Sequence, residues 1–276
     1  MDKLAKPMRW SLDAPSKLLP VAPIVLGASV LPFAAFAFCV FYTFVFSRDR
    51  LNEWTMPDCP HLQTSIPPLS YIIGEWEPQR LIILMALYVH IPARFIVTYM
   101  YFPVFTWYPQ TAAMVVSSAI ETIGFLSVIV LHVNIGFEIH AMCFGVWIFA
   151  FITTGILQVE LHRLHGLGKK HRRLRNTLCI KWLILIATIV TLISMSYTYP
   201  YATSQCSVLV YTIFVFTEYL MAFFNALFYS IALYEFAAEF KYYRITAVRH
   251  DEDDEDCEKR EKSEGVQTSV TTTVTV

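Results

Sequence analysis

The chain has 276 residues, of which 56% are hydrophobic, 15% aromatic and 16% charged, with a formal net charge of −1. A mean hydropathy of +0.49 is well above that of a soluble domain, which excludes an ordinary soluble enzyme and indicates a polytopic membrane protein. The small net charge averages a basic membrane-proximal surface with an acidic tail, and no nucleic-acid partner is expected.

The first apolar run, 24–46, follows a head carrying Lys3, Lys6, Arg9 and Lys17. Ala35 and Ala37 resemble a signal-peptide cleavage site. The run nevertheless exceeds the roughly 7–15 residues of a signal core and reaches the ~20 that cross about 30 Å of hydrocarbon, so it reads as an uncleaved span. The polar stretch 47–80, with Pro57, Pro60, Pro67 and Pro68, reads as a large extramembrane loop. Apolar runs at 81–105, 112–133, 141–161, 180–199 and 208–236 bring the spans to six. One long apolar stretch per span with short connectors predicts an all-α six-helix transmembrane bundle, not a barrel of alternating strands. The segment 1–23 and the tail 237–276 flank this domain. The tail holds the charge run Asp251 to Glu264 and a Thr/Val-rich end, and is expected to lack structure and to serve trafficking or adaptor binding.

Basic residues fall on one side. With the N-terminus inside, the inner segments hold Lys3, Lys6, Arg9, Lys17, the cluster from Arg163 to Lys181, and Lys241, Arg244 and Arg249. The outer segments hold Arg48, Arg50 and Arg80, so the positive-inside rule predicts cytosolic termini and a lumenal loop 47–80. Cys59 and Cys206 then lie in two outer loops and can form a disulfide, although sequence does not supply the required geometry.

Against this apolar background the polar residues within spans stand out, because an Arg at mid-bilayer costs roughly 2.5–3.5 kcal/mol by insertion scales. Counted at 1.5 Å per residue from the outer boundary, His90 lies roughly 13 Å deep, Arg94 roughly 20 Å, Glu121 roughly 18 Å, Glu218 roughly 14 Å and Asn225 roughly 24 Å. Acid and base therefore share a layer. His90 and Arg94 share one helical face, and Tyr211, Glu218 and Asn225 recur along one stripe of the last span. Pro92 kinks the helix between His90 and Arg94. The layer reads either as a functional site or as ion pairs, Arg94 with Glu121 or His90 with Glu218, that hold helices together.

Two weaker candidates remain. His162, His165 and His171 have superficial metal-ligand spacing, but the surrounding Arg163, Lys169, Lys170, Arg172 and Arg173 oppose a bound cation, so a basic loop facing lipid headgroups is expected and no metal. Glu138 and His140 fall in a short outer loop and read as exposed polar surface able to serve an outer-facing site.

Four blocks carry a family resemblance: Ile73-Gly74-Glu75 leading to Pro78-Gln79-Arg80; His90-x-Pro92-Ala93-Arg94-Phe95; Glu121 with Ile139-His140; and Val210-Tyr211-Thr212-Ile213-Phe214 with Glu218-Tyr219, Asn225 and Glu235-Phe236. In order and spacing they resemble the post-GPI-attachment-to-proteins factor 2 family, within the Frag/DRAM/Sfk group of six-span membrane proteins. Tyr229 departs from the pattern, which is expected to carry a histidine after the Asn of the last span.

The resemblance implies a multi-pass protein of the Golgi membrane, with the endoplasmic reticulum as a second location. It implies lipid remodelling of GPI anchors, at the step where lyso-GPI receives a saturated acyl chain, so that GPI-anchored proteins are stably displayed. In that reading His90 is a general base, and Gln79, Arg80 and Arg94 bind lipid phosphate or developing charge. Glu121 and Glu218, with Asn225 and Tyr211, orient them. The expected partners are the GPI lipid or GPI-anchored proteins, membrane lipids and a further remodelling factor, and no cofactor is expected. A second reading is a non-enzymatic scaffold presenting lyso-GPI to a separate acyltransferase, since no Ser or Cys nucleophile with an adjacent His is evident. A third, a proton-coupled transporter, lacks an internal repeat.

Overall fold

The computed structural model describes residues 16–101, 109–164, 172–236 and 242–246. The head at 1–15, the end of the second expected span at 102–105, His165, His171 and the acidic and Thr/Val-rich tail lie outside the described residues.

Among the described residues six helices are long and apolar enough to cross a membrane: Ala22–Phe46, Gln79–Tyr101, Pro109–Val130, Phe137–Leu164, Arg175–Gln205 and Val208–Leu233. They belong to α1 (Val21–Phe46), α4 (Gln79–Tyr101), α5 (Pro109–Val130), α6 (Phe137–Leu164), α7 (Arg172–Gln205) and α8 (Val208–Phe236). The protein is an all-α polytopic membrane protein. Hydroxyls inside the spans are reconciled with lipid by bonding back to the carbonyl four residues earlier, as Ser29 does to Val25 (2.7 Å), Thr122 to Ser118 (2.8 Å) and Thr188 to Ile184 (2.8 Å).

The spans close into a ring in chain order. α1 packs on α4, α4 on α5, α5 on α6, α6 on α7, α7 on α8, and α8 returns to α1. The α5–α6 seam is close because Gly124 has no side chain: a Cβ there would lie 3.1 Å from the Cα and N of Trp147. Gly155 similarly leaves room for Leu185 of α7 and Phe228 of α8.

At one end of the ring β1 (Ser16–Pro20) pairs antiparallel with β4 (Tyr242–Thr246), Ser16 opposite Thr246 and Pro20 opposite Tyr242. The first and last spans are thus tied at the same end, and residues 242–246 form a strand where an unstructured tail was expected. The run Tyr-Tyr-Arg-Ile-Thr has the aromatic and β-branched content of a strand and finds a partner only once the ring closes.

The other end carries α2 (Arg48–Asn52), the hairpin of β2 (Thr55–Met56) and β3 (Cys59–Gln63), and α3 (Leu69–Glu75). Trp54 packs on Tyr71 and Trp76, with ring centroids 4.9 and 5.9 Å apart. A disulfide joins Cys59 of the hairpin to Cys206 at the α7–α8 turn, their Cα atoms 5.8 Å apart. The hairpin is therefore fixed over the bundle mouth.

Candidate functional site

Three polar regions lie in the ring: one at mid-depth, one at the hairpin end and one near the β1–β4 end. The mid-depth layer is built on Glu121 of α5. Its Oε1 accepts from the Arg94 guanidinium of α4 and from Asn225 Nδ2 of α8 (2.9 Å), and its Oε2 accepts from the Tyr229 hydroxyl (2.6 Å). The guanidinium carbon also sits 3.1 Å from the Tyr229 ring centroid. Arg94 and Glu121 are 3% and 1% exposed, so the ion pair is dry. Around it Thr98 and Ser118 share a hydrogen bond (2.8 Å), Thr154 donates to Ser117 (3.0 Å), and Ser117 donates to the Ala150 carbonyl (3.1 Å), linking α4, α5 and α6.

His90 is buried one turn above Arg94. Its ring meets Phe125 edge to face at 5.6 Å and abuts the Gly27 and Ala28 backbone of α1, and its Nδ1 has no partner among the described residues. The void beside His90 and Arg94 is about 10 Å³, barely one water.

Other expected members separate from this layer. Gln79 is fully buried at the start of α4. With its amide nitrogen donating to the Trp76 and Glu77 carbonyls (3.3 and 3.2 Å), its oxygen accepts from Thr43 of α1 (3.0 Å). Arg80 is half-buried in the first turn of α4. The expectation that Glu218 pairs with His90 or orients a cation is corrected. Glu218 reaches the other way and accepts the Leu69 (3.1 Å) and Ser70 (2.9 Å) backbone N–H groups, capping α3, whose N-cap is Pro68 and offers no side-chain bond. Tyr211 is buried two turns nearer the hairpin.

There Tyr211 and Glu218 line a cavity of about 200 Å³, open to the surface, with His140 and Tyr199. His140 was expected on exposed surface but is buried in the first turn of α6, while its neighbour Glu138 is exposed. The His140 Nδ1 donates to the Leu131 carbonyl (2.9 Å), which leaves the lone pair of the neutral ring on Nε2. Phe137, Tyr199, Phe214 and Tyr211 form a continuous aromatic wall. Phe137 stacks on Tyr199 at 4.9 Å, Tyr199 tilts against Phe214 at 4.9 Å, and Phe214 meets Tyr211 at 5.8 Å. Opposite stands Tyr71 of α3. Burial, reinforced by the negative charges of Glu75, Asp58 and Glu218, pushes its phenol up to about 12.

A third cluster, near the β1–β4 end, was missed. Lys181 is fully buried and donates to Glu235 Oε2 at 2.7 Å, an oxygen that also accepts from the Tyr101 hydroxyl at 2.6 Å. His162 lies with it, Nε2 3.9 Å from the same oxygen. Both corrections have one cause. His162 counts as a loop histidine, and Lys181 as charge at the edge of the span 180–199, only if the helices end where the apolar runs end. α7 in fact begins at Arg172 and α6 runs to Leu164, which carries both side chains inside the ring. Tyr229, noted as a departure, is the other missed residue; a phenol reads as apolar in a hydropathy scan.

The model of the Frag1/DRAM/Sfk1/Cwh43P N-terminal domain matches residues 20–239. Among curated proteins, the chain is 23% identical over 230 residues to "Post-GPI attachment to proteins factor 2" of Drosophila melanogaster, covering 80% of this chain and 87% of that one. It is 23% identical over 219 residues to "Acyltransferase PGAP2" of Xenopus tropicalis, covering 76% and 85%. A shorter match, 34% over 83 residues, covers 30% of this chain and 31% of "Post-GPI attachment to proteins factor 2" of Drosophila pseudoobscura pseudoobscura. No solved structure matches. The family domain spans the whole ring from β1 into the segment after α8, and the chain belongs to the Frag1/DRAM/Sfk1/Cwh43P N-terminal domain family.

Proposed function

We propose that this protein acts in the maturation of GPI-anchored proteins by remodelling the lipid of the anchor, supporting reacylation of lyso-GPI. The observation that carries the reading is the extent of the match to relatives with post-GPI-attachment and acyltransferase names, which covers most of both chains and not a shared fragment. The positive-inside reading puts the termini in the cytosol and the hairpin end in the lumen of the Golgi or endoplasmic reticulum, the leaflet that holds GPI anchors. In this reading the cavity under the hairpin receives the lipid and Arg80 engages its phosphate at the boundary. Arg94 and Glu121 are paired with each other in a dry layer, and the void at His90 is about 10 Å³, so the mid-depth layer supports the cavity as a clamp and does not hold the reacting ester.

A specific observation favours presentation of lyso-GPI to a separate enzyme over covalent catalysis in this chain. Both serines lining the cavity are engaged, Ser70 with Glu218 and Ser196 with the Leu192 carbonyl (2.9 Å), and neither is held by a histidine.

The test is anchor lipid analysis in cells lacking the protein, with surface display of a GPI-anchored marker. Loss of saturated acyl chains, restored by the wild-type chain, is expected; unchanged anchor lipid overturns the function. Purified protein in defined lipid, given lyso-GPI and an acyl donor, separates enzyme from scaffold by whether product forms without a partner.

A further inference from the structure

The cavity at the hairpin end has a chemistry that acyl transfer does not explain. Among the described residues no Lys or Arg lines it, so these offer nothing to neutralise a phosphate. What it offers is aromatic rings and carboxylate oxygens. Tyr199, Phe214 and Tyr211 bring three rings from α7 and α8, Tyr71 adds a fourth from α3, and the Glu218 carboxylate sits among them. The Tyr199 hydroxyl donates to Asp58 (3.2 Å), which adds a second carboxylate at the rim. His140, the one nitrogenous side chain in the lining, has its Nδ1–H spent on the Leu131 carbonyl.

Aromatic faces carry negative quadrupole density and attract organic cations, most strongly where water is excluded and a carboxylate adds to the field. We propose that this cavity binds the alkylammonium group of a lipid, the trimethylammonium of a choline headgroup or the primary ammonium of an ethanolamine-bearing lipid, with the adjoining phosphate left outside at the rim. At about 200 Å³ the cavity exceeds the 150 Å³ or so that admits a benzene ring, and so has room for a headgroup cation. The site lies at the end of the ring where the spans give way to the extramembrane hairpin, the level of lipid headgroups. Glu218 has a double use: it caps α3, and by doing so holds Tyr71 and Ser70 over the opening.

The inference stands on the lining and does not need the acyl-transfer reading. Ammonium binding with no effect of the protein on anchor lipid sinks only the function; normal anchor remodelling with no ammonium binding sinks only this site.

The test uses the full chain purified in a nonionic detergent. Binding of short-chain phosphatidylcholine is measured by equilibrium dialysis against its uncharged isostere, in which a 3,3-dimethylbutyl group replaces choline, and against phosphatidylethanolamine and phosphatidylglycerol of equal chain length. Tighter binding of the choline lipid than of its carbon isostere, about 2- to 30-fold, is expected from a cation–π contribution of about 0.5–2 kcal/mol. Phe214→Leu and Tyr211→Leu each lower that preference, read as the ratio of choline-lipid to isostere binding within the same variant. The ethanolamine arm identifies the source: preference for it over choline assigns the site to a primary amine. Equal binding of choline lipid and isostere, or of the anionic glycerol lipid, overturns the proposal. That comparison is made on the wild-type chain, so a variant that fails to fold does not blunt it.

Discussion

Tyr229 touches both halves of the buried ion pair: its ring lies under the Arg94 guanidinium and its hydroxyl donates to Glu121 Oε2 at 2.6 Å. A residue standing where a histidine was expected thus closes the mid-depth layer. Tyr229→Phe keeps the ring and loses a hydrogen bond to a charged acceptor, at a cost of about 1.5–3 kcal/mol. Arg94→Met leaves Glu121 buried beside Asn225 and Tyr229 alone and costs about 3–5 kcal/mol, whereas Arg94→Met combined with Glu121→Leu recovers part of the loss. Thermal unfolding of the wild type, Arg94→Met, Glu121→Leu and the double variant in detergent checks this. If the double variant is as unstable as the sum of the singles, the pair is not coupled.

The Lys181 and Glu235 contact is as dry, the two being 1% and 3% exposed, and it ties α7 to α8 at the opposite end. Lys181→Met strands a buried carboxylate whose Oε1 already lacks a partner among the described residues, and is expected to cost about 3–5 kcal/mol. Adding Glu235→Gln should return much of it, because a neutral amide keeps an acceptor for Tyr101 without an unpaired charge. Surface expression and melting temperature of the two variants decide it; equal damage in both would show that the charge is not what matters.

Legibility varied with the physics involved. The six spans are readable because each is one uninterrupted apolar run, and the Arg94 to Glu121 contact because both residues lie at matching depth on neighbouring spans. Glu218 was not placed by the same argument, since its partners are the backbone N–H groups of Leu69 and Ser70, which carry no side-chain signal and lie nearly 150 positions away. Lys181 was misread for a different reason: α7 runs on for more than two turns before the apolar stretch starts, and hydropathy sees composition, not helix ends. His140 fell in a loop by hydropathy and on a helix by hydrogen bonding.

The α5–α6 seam gives a steric prediction. A methyl group at Gly124 would press on Trp147 backbone atoms at 3.1 Å, which cannot swing aside as a side-chain tip can. Gly124→Ala should force the helices apart and destabilise the bundle by about 1–3 kcal/mol. Gly145→Ala, on the facing helix with nothing within 4 Å of the added carbon, is the matched control and should be neutral. Comparable melting temperatures for the two variants would refute the seam.

Glu75 in α3 supplies a pH prediction outside the spans. Burial raises its carboxyl above the usual 4.5, outweighing the Asn134 hydrogen bond and the nearby His132, which act to lower it. The folded state then holds the proton more tightly than the unfolded state. Its stabilising contribution is complete below about pH 4.5 and is lost as pH rises through the folded value. Glu75→Gln should therefore leave stability at low pH nearly unchanged and raise it towards neutrality. Melting temperature followed across pH reads this; a variant that loses stability on the neutral side reverses the sign.

The order of the ring also bears on how the molecule is made. Neighbours in space are neighbours in sequence at every seam except one, so each new helix emerging from the ribosome finds its predecessor already in the bilayer, and the α5–α6 and α7–α8 hairpins can form as they are inserted. Only the α1–α8 seam must wait for the whole chain. The β1–β4 pairing sits at that seam, and so acts as a latch on completed synthesis: a nascent chain that stops short of Tyr242 has the six described spans and not this clasp.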